Sequence, residues 1–94
     1  MFEWDPRKAA ANAAKHGVSF DEAVTVFLDG DALDGPDLQH SRDEVRFLRV
    51  GRAVDGRVLM VAYTIRRSGD AETIRIISAR RASRREPAAY SAKN

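Results

Sequence analysis

A β-branched run passes directly into an arginine-rich run in the stretch Thr73-Ile74-Arg75-Ile76-Ile77-Ser78-Ala79-Arg80-Arg81-Ala82-Ser83-Arg84-Arg85-Glu86. Its first half is rich in β-branched residues, which predicts a strand over residues 72–78. Ile74 and Ile76 share one face of that strand because side chains alternate with a period of two, and Arg75 and Ile77 share the other. The stretch is therefore predicted to supply one strand of a sheet.

The second half of the stretch carries four arginines where the predicted strand gives way to a helix. They are Arg80, Arg81, Arg84 and Arg85. Ser83 with Glu86 three residues later is a capping box, which predicts a helix N-terminus at this point. Free helix N–H groups and guanidinium groups both attract phosphate, so we predict an anion site here. The alternative is that the arginines only solvate a surface helix.

Length and composition bound the class of protein. The 94 residues predict a single domain over positions 1–94, and the hydrophobic (44%) and charged (32%) fractions are those of a globular chain. The absence of cysteine excludes disulfides and thiolate metal sites. No apolar run approaches the roughly 20 residues of a membrane span, and the N-terminus has no signal-peptide pattern. We therefore expect a cytoplasmic protein that does not bind membranes.

The charges are distributed unevenly along the chain. Residues 1–47 hold 10 acidic and 5 basic side chains, a net charge of −5, whereas residues 48–94 hold 4 acidic and 11 basic side chains, a net charge of +7. Two interpretations are open. The C-terminal half binds a polyanion, or the two halves neutralise each other in the folded protein.

The N-terminal part predicts a short strand at residues 2–4 and then two helices. Asp5 before the proline at position 6 predicts a helix start, and Gly17 predicts its end. Ser19 and Glu22 form another capping box, so a second helix should begin there and form a helical hairpin with the first. The side chains expected on its buried face are Phe20, Ala23, Val24, Phe27 and Leu28.

The middle of the chain predicts two strands and a loop. Residues 32–33 predict a short edge strand, which is followed by a loop that holds His40. Residues 45–53 predict the next strand, with an end or a bulge at Gly51. The dipeptide Asp55-Gly56 is the strongest hairpin signal in the chain.

The C-terminal part completes an antiparallel meander. The almost continuous apolar run 58–65 predicts a central strand that is covered on both faces. A turn at residues 68–70 leads into the strand described above. A short helix over residues 84–90, perturbed by Pro87, and a loose tail end the chain. The predicted class is α+β.

Motifs along nearly the whole chain resemble those of the BrnT toxins. They are Phe2-x-Trp4-Asp5, Lys8, Asn12, Lys15-His16-Gly17-Val18, Phe20-x-Glu22-Ala23, Phe27, Asp37-x-x-His40-Ser41, Glu44-x-Arg46, Tyr63-Thr64-x-Arg66, Arg75-Ile76-Ile77-Ser78-Ala79-Arg80-Arg81-Ala82, Arg84-Arg85-Glu86 and Tyr90. Two positions depart from the family pattern. Ile65 stands where an acidic residue is usual, and Pro87 stands where a basic residue is usual.

The resemblance implies a fold, an activity and a partner. BrnT proteins have a RelE-like fold with two helices on an antiparallel sheet, and they are ribonuclease toxins of bacterial type II toxin–antitoxin pairs that block translation. Their partner is the antitoxin BrnA, a DNA-binding protein of ribbon-helix-helix type, and operator DNA is bound through that antitoxin. The resemblance implies no cofactor. Free RNA and RNA on the ribosome both stay open as substrates.

Metal-free RNA cleavage uses the 2′-hydroxyl of the substrate as the nucleophile and needs cations that stabilise the phosphorane. Arg66 and Arg80 are the first candidates because guanidinium groups bind phosphate bidentately. They follow neighbouring antiparallel strands and so should lie at opposite edges, with Arg75 as a bridge between them. His40 is the candidate acid or base, since imidazole exchanges protons near neutral pH. The residues expected to bind RNA are Lys8, Arg75, Arg81, Arg84 and Arg85.

Several of these residues also have ordinary structural interpretations. His40 is equally compatible with a loop residue that caps between Asp37 and Arg42. Glu44 and Arg46 lie on one strand face and predict an ion pair. Trp4 and Tyr63 are better explained by core packing than by base stacking, and His16 by the helix dipole. Asp37, His40, Asp43 and Glu44 have no recognised metal-binding spacing, so no metal site is predicted.

Three hypotheses for the function follow. The first is a metal-independent endoribonuclease toxin that cleaves RNA with the residues named above. The second is a non-catalytic nucleic-acid-binding domain that uses the same arginines. The third is an interaction module whose basic face docks an acidic segment of an antitoxin.

Overall fold

The computed structural model describes residues 1–41 and 43–83 and has the predicted α+β class. Its helices and strands, in chain order, are β1 (Phe2–Glu3), α1 (Pro6–His16), α2 (Phe20–Thr25), a 3₁₀ helix (Val26–Leu28), β2 (Leu33–Pro36), β3 (Phe47–Arg52), β4 (Val58–Ser68) and β5 (Ala71–Arg81). The predicted helix over residues 84–90, with its capping residue Glu86, lies outside the described residues, as does the tail. No helix of the described part is long and apolar enough to cross a membrane.

Helix α1 begins and ends where its capping residues predict, and α2 begins where its capping residue predicts. The Asp5 carboxylate accepts the backbone N–H of Arg7 at 2.8 Å, and Gly17 ends α1 in the left-handed conformation (φ 68°). The Ser19 hydroxyl accepts the backbone N–H of Glu22 at 3.0 Å at the start of α2. These contacts satisfy backbone groups that a helix end leaves without partners.

The prediction of a continuous buried helical face through Leu28 is wrong. Helix α2 tightens into the 3₁₀ helix after Thr25, and three residues per turn replace 3.6. The change of pitch rotates the last turn, so that Val26 is fully buried and Leu28 is 80% exposed.

The five strands form one mixed sheet in the order β1-β5-β4-β3-β2. Strands β2 to β5 are antiparallel to their neighbours, and β1 pairs in parallel with β5. The Asp55-Gly56 turn joins β3 to β4 with Gly56 at φ 93°, as predicted, and the apolar run forms the central strand β4.

Gly51 neither ends nor bulges its strand, contrary to the prediction. It pairs in register with Leu59 in an unbroken β3–β4 ladder, and the strand continues one residue further, to Arg52. A Cβ atom at this position would lie 2.8 Å from Val26 Cγ1 and 2.9 Å from Ala32 Cβ. Glycine is therefore required because the 3₁₀ helix and the segment after it pack directly on the strand backbone.

Strand β5 is longer than predicted and contains a bulge. It continues to Arg81 instead of ending at Ser78, so Arg80 and Arg81 extend the strand and do not begin a helix. Its pairing with β4 shifts by one residue, which leaves Ile77 as the extra residue between Ile76 and Ser78.

The bulge changes which side chains face the helices. Ile76 and Ala79 are both buried in the core although three positions separate them. Strict alternation would have placed them on opposite faces. Arg80 therefore lies on the face away from the helices. Without the bulge it would share the face of Ile76 and point into the core.

The core lies between the helices and one face of the sheet. It is built by Val18, Phe20, Ala23 and Val26 from the helical side and by Leu59, Val61, Tyr63, Ile76 and Ala79 from the sheet. Trp4 packs against this core with its ring edge-on to Phe20. Trp4 and Tyr63 are thus core residues, as the packing interpretation predicted.

Candidate functional site

The face of the sheet that the helices leave open is partly covered by the loop of residues 37–46. Two adjoining cavities lie under and beside this loop, with volumes of about 550 and about 290 Å³. Arg66 lines the larger cavity, Arg80 lines the smaller one, and Gln39, His40 and Arg46 line both. We call the two cavities together the loop groove.

Hydrogen bonds close the loop of the groove on itself and fix it to the sheet. The Asp37 N–H donates to the Arg46 carbonyl at 2.8 Å. The Ser41 hydroxyl donates to the Asp37 carbonyl at 2.6 Å and accepts the Arg46 N–H at 3.0 Å. The Thr64 hydroxyl on β4 donates to the Val45 carbonyl at 2.7 Å. The residues that face the groove are therefore held on a loop whose two ends are bonded to each other and to the sheet.

The imidazole of His40 is paired with the buried carboxylate of Asp37. The His40 Nδ1 atom lies 3.0 Å from Asp37 Oδ2 and 3.2 Å from Oδ1, and the His40 side chain is 61% exposed. A carboxylate at Nδ1 favours the tautomer that has its proton on Nδ1 and leaves Nε2 as a proton acceptor. The predicted cap by Asp37 is present, and Arg42 lies outside the described residues.

Arg66 and Arg80 lie at opposite ends of the loop groove. Arg80 pairs with Met60, which is six positions before Arg66 on β4. At about 3.3 Å per residue the two Cα atoms are separated by about 20 Å. His40 lies between the two arginines along the groove, since it lines both cavities.

The partners of the two arginines differ. Arg66 Nη2 lies 3.7 Å from the Glu44 carboxylate. The predicted pair between Glu44 and Arg46 is therefore wrong, because Glu44 turns towards Arg66. Arg80 donates to the Arg81 carbonyl at 3.0 Å, and its Nη2 lies 3.1 Å from Met60 Sδ.

The structure does not bring the other predicted RNA-binding residues into the loop groove. Arg75 is on the open face but pairs with the Glu3 carboxylate. Arg81 follows Arg80 on the strand and so faces the opposite side. Lys8 is exposed on α1, on the side of the helices. Arg84 and Arg85 lie outside the described residues.

Ion pairs join the acidic and basic halves of the sequence. Four of them link an arginine after position 47 to a carboxylate before it: Arg49 with Asp34, Arg57 with Glu22, Arg66 with Glu44, and Arg75 with Glu3. Mutual neutralisation therefore accounts for part of the charge asymmetry, and a polyanion partner is not needed to explain all of it.

Three groups on the helical side have shifted pKa values. Burial and a hydrogen bond to Asp34 raise the pKa of Tyr63, whose hydroxyl donates to that carboxylate at 2.6 Å. A hydrogen bond shared with Asp55 raises the pKa of Glu22, and the backbone N–H of Arg57 lowers that of Asp55. These groups are structural, because none of them lines the loop groove.

Among residues 1–41 and 43–83, no three histidine or carboxylate side chains gather closely enough to hold a metal ion. Asp37 and His40 contact each other directly, whereas Glu44 turns to Arg66. The chemistry available in the groove is thus that of guanidinium groups, an imidazole and carboxylates.

Reasoning from the sequence missed the roles of three residues of the loop groove. Arg46 was assigned to an ion pair, although alternation from Leu48, which also lines the groove, would place it on the open face. Asp37 was weighed as a cap and as a metal ligand, but its spacing of three from His40 was also the available signal for a paired imidazole. Gln39 carried no signal in the sequence.

Fold and groove together define a small α+β protein whose sheet carries arginines and a paired histidine on its open face. The family model described as "Ribonuclease toxin, BrnT, of type II toxin-antitoxin system" matches residues 4–86. The chain therefore belongs to the BrnT family of ribonuclease toxins, which implies an antitoxin as partner and RNA as substrate.

A solved structure is similar to this fold. The 1.1 Å crystal structure of the Brucella abortus ribonuclease toxin BrnT superposes with a TM-score of 0.65, covering 89% of this chain and 99% of that chain at 24% sequence identity. At this identity the likeness establishes the fold alone. The comparison with curated proteins found no match.

Proposed function

We propose that this protein is a metal-independent endoribonuclease that inhibits translation in the cytoplasm by cutting RNA in the loop groove. The observation that supports the proposal most directly is the position of His40. It lies between Arg66 and Arg80 in one groove, with its Nδ1 held by the Asp37 carboxylate at 3.0 Å. An acid–base group flanked by fixed cations is what metal-free phosphodiester cleavage requires.

The proposed reaction forms one bond to phosphorus and breaks another. The 2′-oxygen of the RNA attacks the adjacent phosphorus as His40 Nε2 accepts the 2′-hydroxyl proton, and the bond from phosphorus to the 5′-oxygen breaks. Water supplies a proton to the leaving 5′-oxygen, and the hydroxide that remains takes the proton of the His40 imidazolium, which restores the neutral imidazole. The products are a 2′,3′-cyclic phosphate end and a 5′-hydroxyl end. The Asp37 carboxylate stabilises the imidazolium that forms.

The proposal includes an antitoxin of the BrnA type, a ribbon-helix-helix protein that neutralises the toxin and carries it to operator DNA. The substrate is free RNA or RNA on the ribosome, and the experiment below includes both.

The test is cleavage of a defined RNA by the purified protein in excess EDTA, first with free RNA and then with translating ribosomes. We expect the wild type to cleave in one of these assays. His40→Ala should lose about 10²- to 10⁴-fold in kcat, the usual contribution of a general base, and retain its affinity for RNA.

The matched control is His16→Ala, because His16 is the other histidine of the chain and lies at the end of α1 on the helical side. Its cleavage rate should equal that of the wild type. Binding without cleavage in either assay would support the non-catalytic alternative, and equal rates for wild type and His40→Ala would refute the role of His40.

A further inference from the structure

Arg46 lines both cavities of the loop groove. Its Nε atom is buried and has no hydrogen-bond partner among the described residues. Buried N–H groups in native proteins nearly always have partners, so the unpaired Nε–H favours a movement of the guanidinium group towards a ligand in the groove that accepts its N–H groups. The guanidinium group also forms no ion pair with a described carboxylate, in contrast to that of Arg66.

The backbone of Arg46 is fixed more firmly than its side chain. Its N–H and its carbonyl are bonded to Ser41 and Asp37, the two residues that close the loop. The side chain enters both cavities of the groove, as His40 does. Arg46 and His40 are therefore presented to the same stretch of an RNA strand.

The Cα atoms of Arg66 and Arg80 are about 20 Å apart, because six residues of strand separate their positions on the sheet. A phosphate beside His40 is thus near the middle of the groove, whereas each of these arginines is at one end. Arg66 and Arg80 fit the phosphates on either side of the one that is cut. Arg46 fits the phosphate at the cut itself.

We propose that Arg46 is a catalytic residue that binds the non-bridging oxygens of the scissile phosphate through the N–H groups of its two Nη atoms. This inference rests on the proposed nuclease function and adds a residue to it. A guanidinium fork binds two phosphate oxygens at once and stays charged as negative charge builds on the phosphorane. Arg66 and Arg80 are then anchors for the flanking phosphates and determine affinity more than rate.

The test uses an RNA in which sulfur replaces one non-bridging oxygen of the scissile phosphate. Sulfur accepts hydrogen bonds poorly, and each diastereomer replaces one of the two oxygens that the fork binds, so the wild type should cleave both diastereomers more slowly than the oxygen substrate. Arg46→Gln should lose about 10²- to 10³-fold in kcat on the oxygen substrate, as other enzymes do when a donor to the transition state is removed. The variant should also lose the difference between oxygen and sulfur.

Arg46→Lys separates charge from geometry. Lysine keeps the positive charge but cannot form the fork, so its kcat should fall by about 10-fold or more. Arg66→Gln and Arg80→Gln should keep the sulfur effect and raise KM. Each should also lower the salt dependence of RNA binding by about 0.7, the slope for one phosphate contact on a single strand.

The matched control is Arg52→Gln at the far end of β3, where the Arg52 guanidinium donates to the Gly56 carbonyl at 2.8 Å outside the groove. It should leave kcat and the sulfur effect unchanged. Thermal unfolding of each variant excludes loss of the fold as the cause.

Two outcomes would overturn the inference, and they are distinguishable. If the wild type cleaves and Arg46→Gln retains the sulfur effect, the role of Arg46 is wrong while the nuclease function stands. If the folded wild type cleaves neither free RNA nor RNA on ribosomes, the nuclease proposal fails and the role of Arg46 fails with it.

Discussion

The side-chain amide of Asn12 joins α1 to β5, and its substitution should lower the free energy of unfolding. Asn12 is buried on α1, and its Nδ2 donates to the carbonyls of Val18 at 2.9 Å and Ala79 at 2.8 Å. Its Oδ1 accepts the N–H of Ala79 at 3.1 Å. The side chain thus pairs with β5 as a neighbouring strand would, beyond the point where the two-residue strand β1 ends.

Asn12→Ala removes three hydrogen bonds and leaves three buried backbone groups without partners. Each hydrogen bond contributes about 1 kcal/mol net, and each unsatisfied group costs about 1–3 kcal/mol. Alanine gains up to about 0.7 kcal/mol of helix propensity in return. Three unsatisfied groups at about 1–3 kcal/mol each, less the gain in helix propensity, give an expected loss of about 2–8 kcal/mol in the free energy of unfolding, a large part of the 5–15 kcal/mol typical of such a domain.

Urea unfolding followed by circular dichroism measures this loss as a shift of the midpoint with an unchanged slope. Asn12→Asp should also be destabilising, because a carboxylate keeps the bond from the Ala79 N–H but places charge beside two carbonyl oxygens. The exposed substitution Lys15→Ala on the same helix is the control. A loss below about 1 kcal/mol for Asn12→Ala would refute the reasoning, since that is the size of one ordinary hydrogen bond.

Two further predictions concern packing and pH. Gly51→Ala should lower the free energy of unfolding by about 1–3 kcal/mol, because its Cβ would lie within 3 Å of Val26 and Ala32; an unchanged urea midpoint would contradict the packing at this site. Glu22→Gln should stabilise the protein at neutral pH. The pKa of Glu22 is raised by Asp55, so its favourable contribution is present below the ordinary value of 4.5 and is lost as the pH rises through the raised pKa. Thermal melts of the wild type and Glu22→Gln from acid to neutral pH should show a higher melting temperature for the variant at neutral pH and equal melting temperatures at acid pH. A difference in melting temperature that does not change with pH would disprove the effect of Asp55 on the pKa of Glu22.

Elements whose ends are encoded locally could be predicted from the sequence. Asp5 and Ser19 cap their helices with contacts three residues away or fewer, and Asp55-Gly56 forms its turn from the conformations of two residues. Such signals need no knowledge of the remainder of the chain, so the order of helices and strands followed from them. The prediction of a buried helical face was wrong at Leu28, because the chain changes to a 3₁₀ helix where it packs on the Gly51 backbone, a contact that no local pattern encodes.

The functional groove could be predicted only in part. His40 and the two arginines were identified by residue type and by the family motifs, but their arrangement depends on contacts between distant parts of the chain. Arg80 reaches the open face because of the bulge at Ile77, which no local pattern indicated. Arg46 enters the groove because the loop folds back over the sheet, held by Ser41 and by the Thr64 hydroxyl.

The central claim is that RNA cleavage uses the 2′-hydroxyl of the substrate and no metal ion. The most direct measurement is cleavage in excess EDTA of an RNA that carries one 2′-O-methyl group at the cut site, beside the unmodified RNA, with the ends of the products identified by mass. Cleavage of the unmodified RNA alone, to a 2′,3′-cyclic phosphate and a 5′-hydroxyl end, is the predicted result. Cleavage of the methylated site, or products with a 3′-hydroxyl and a 5′-phosphate, would contradict the account.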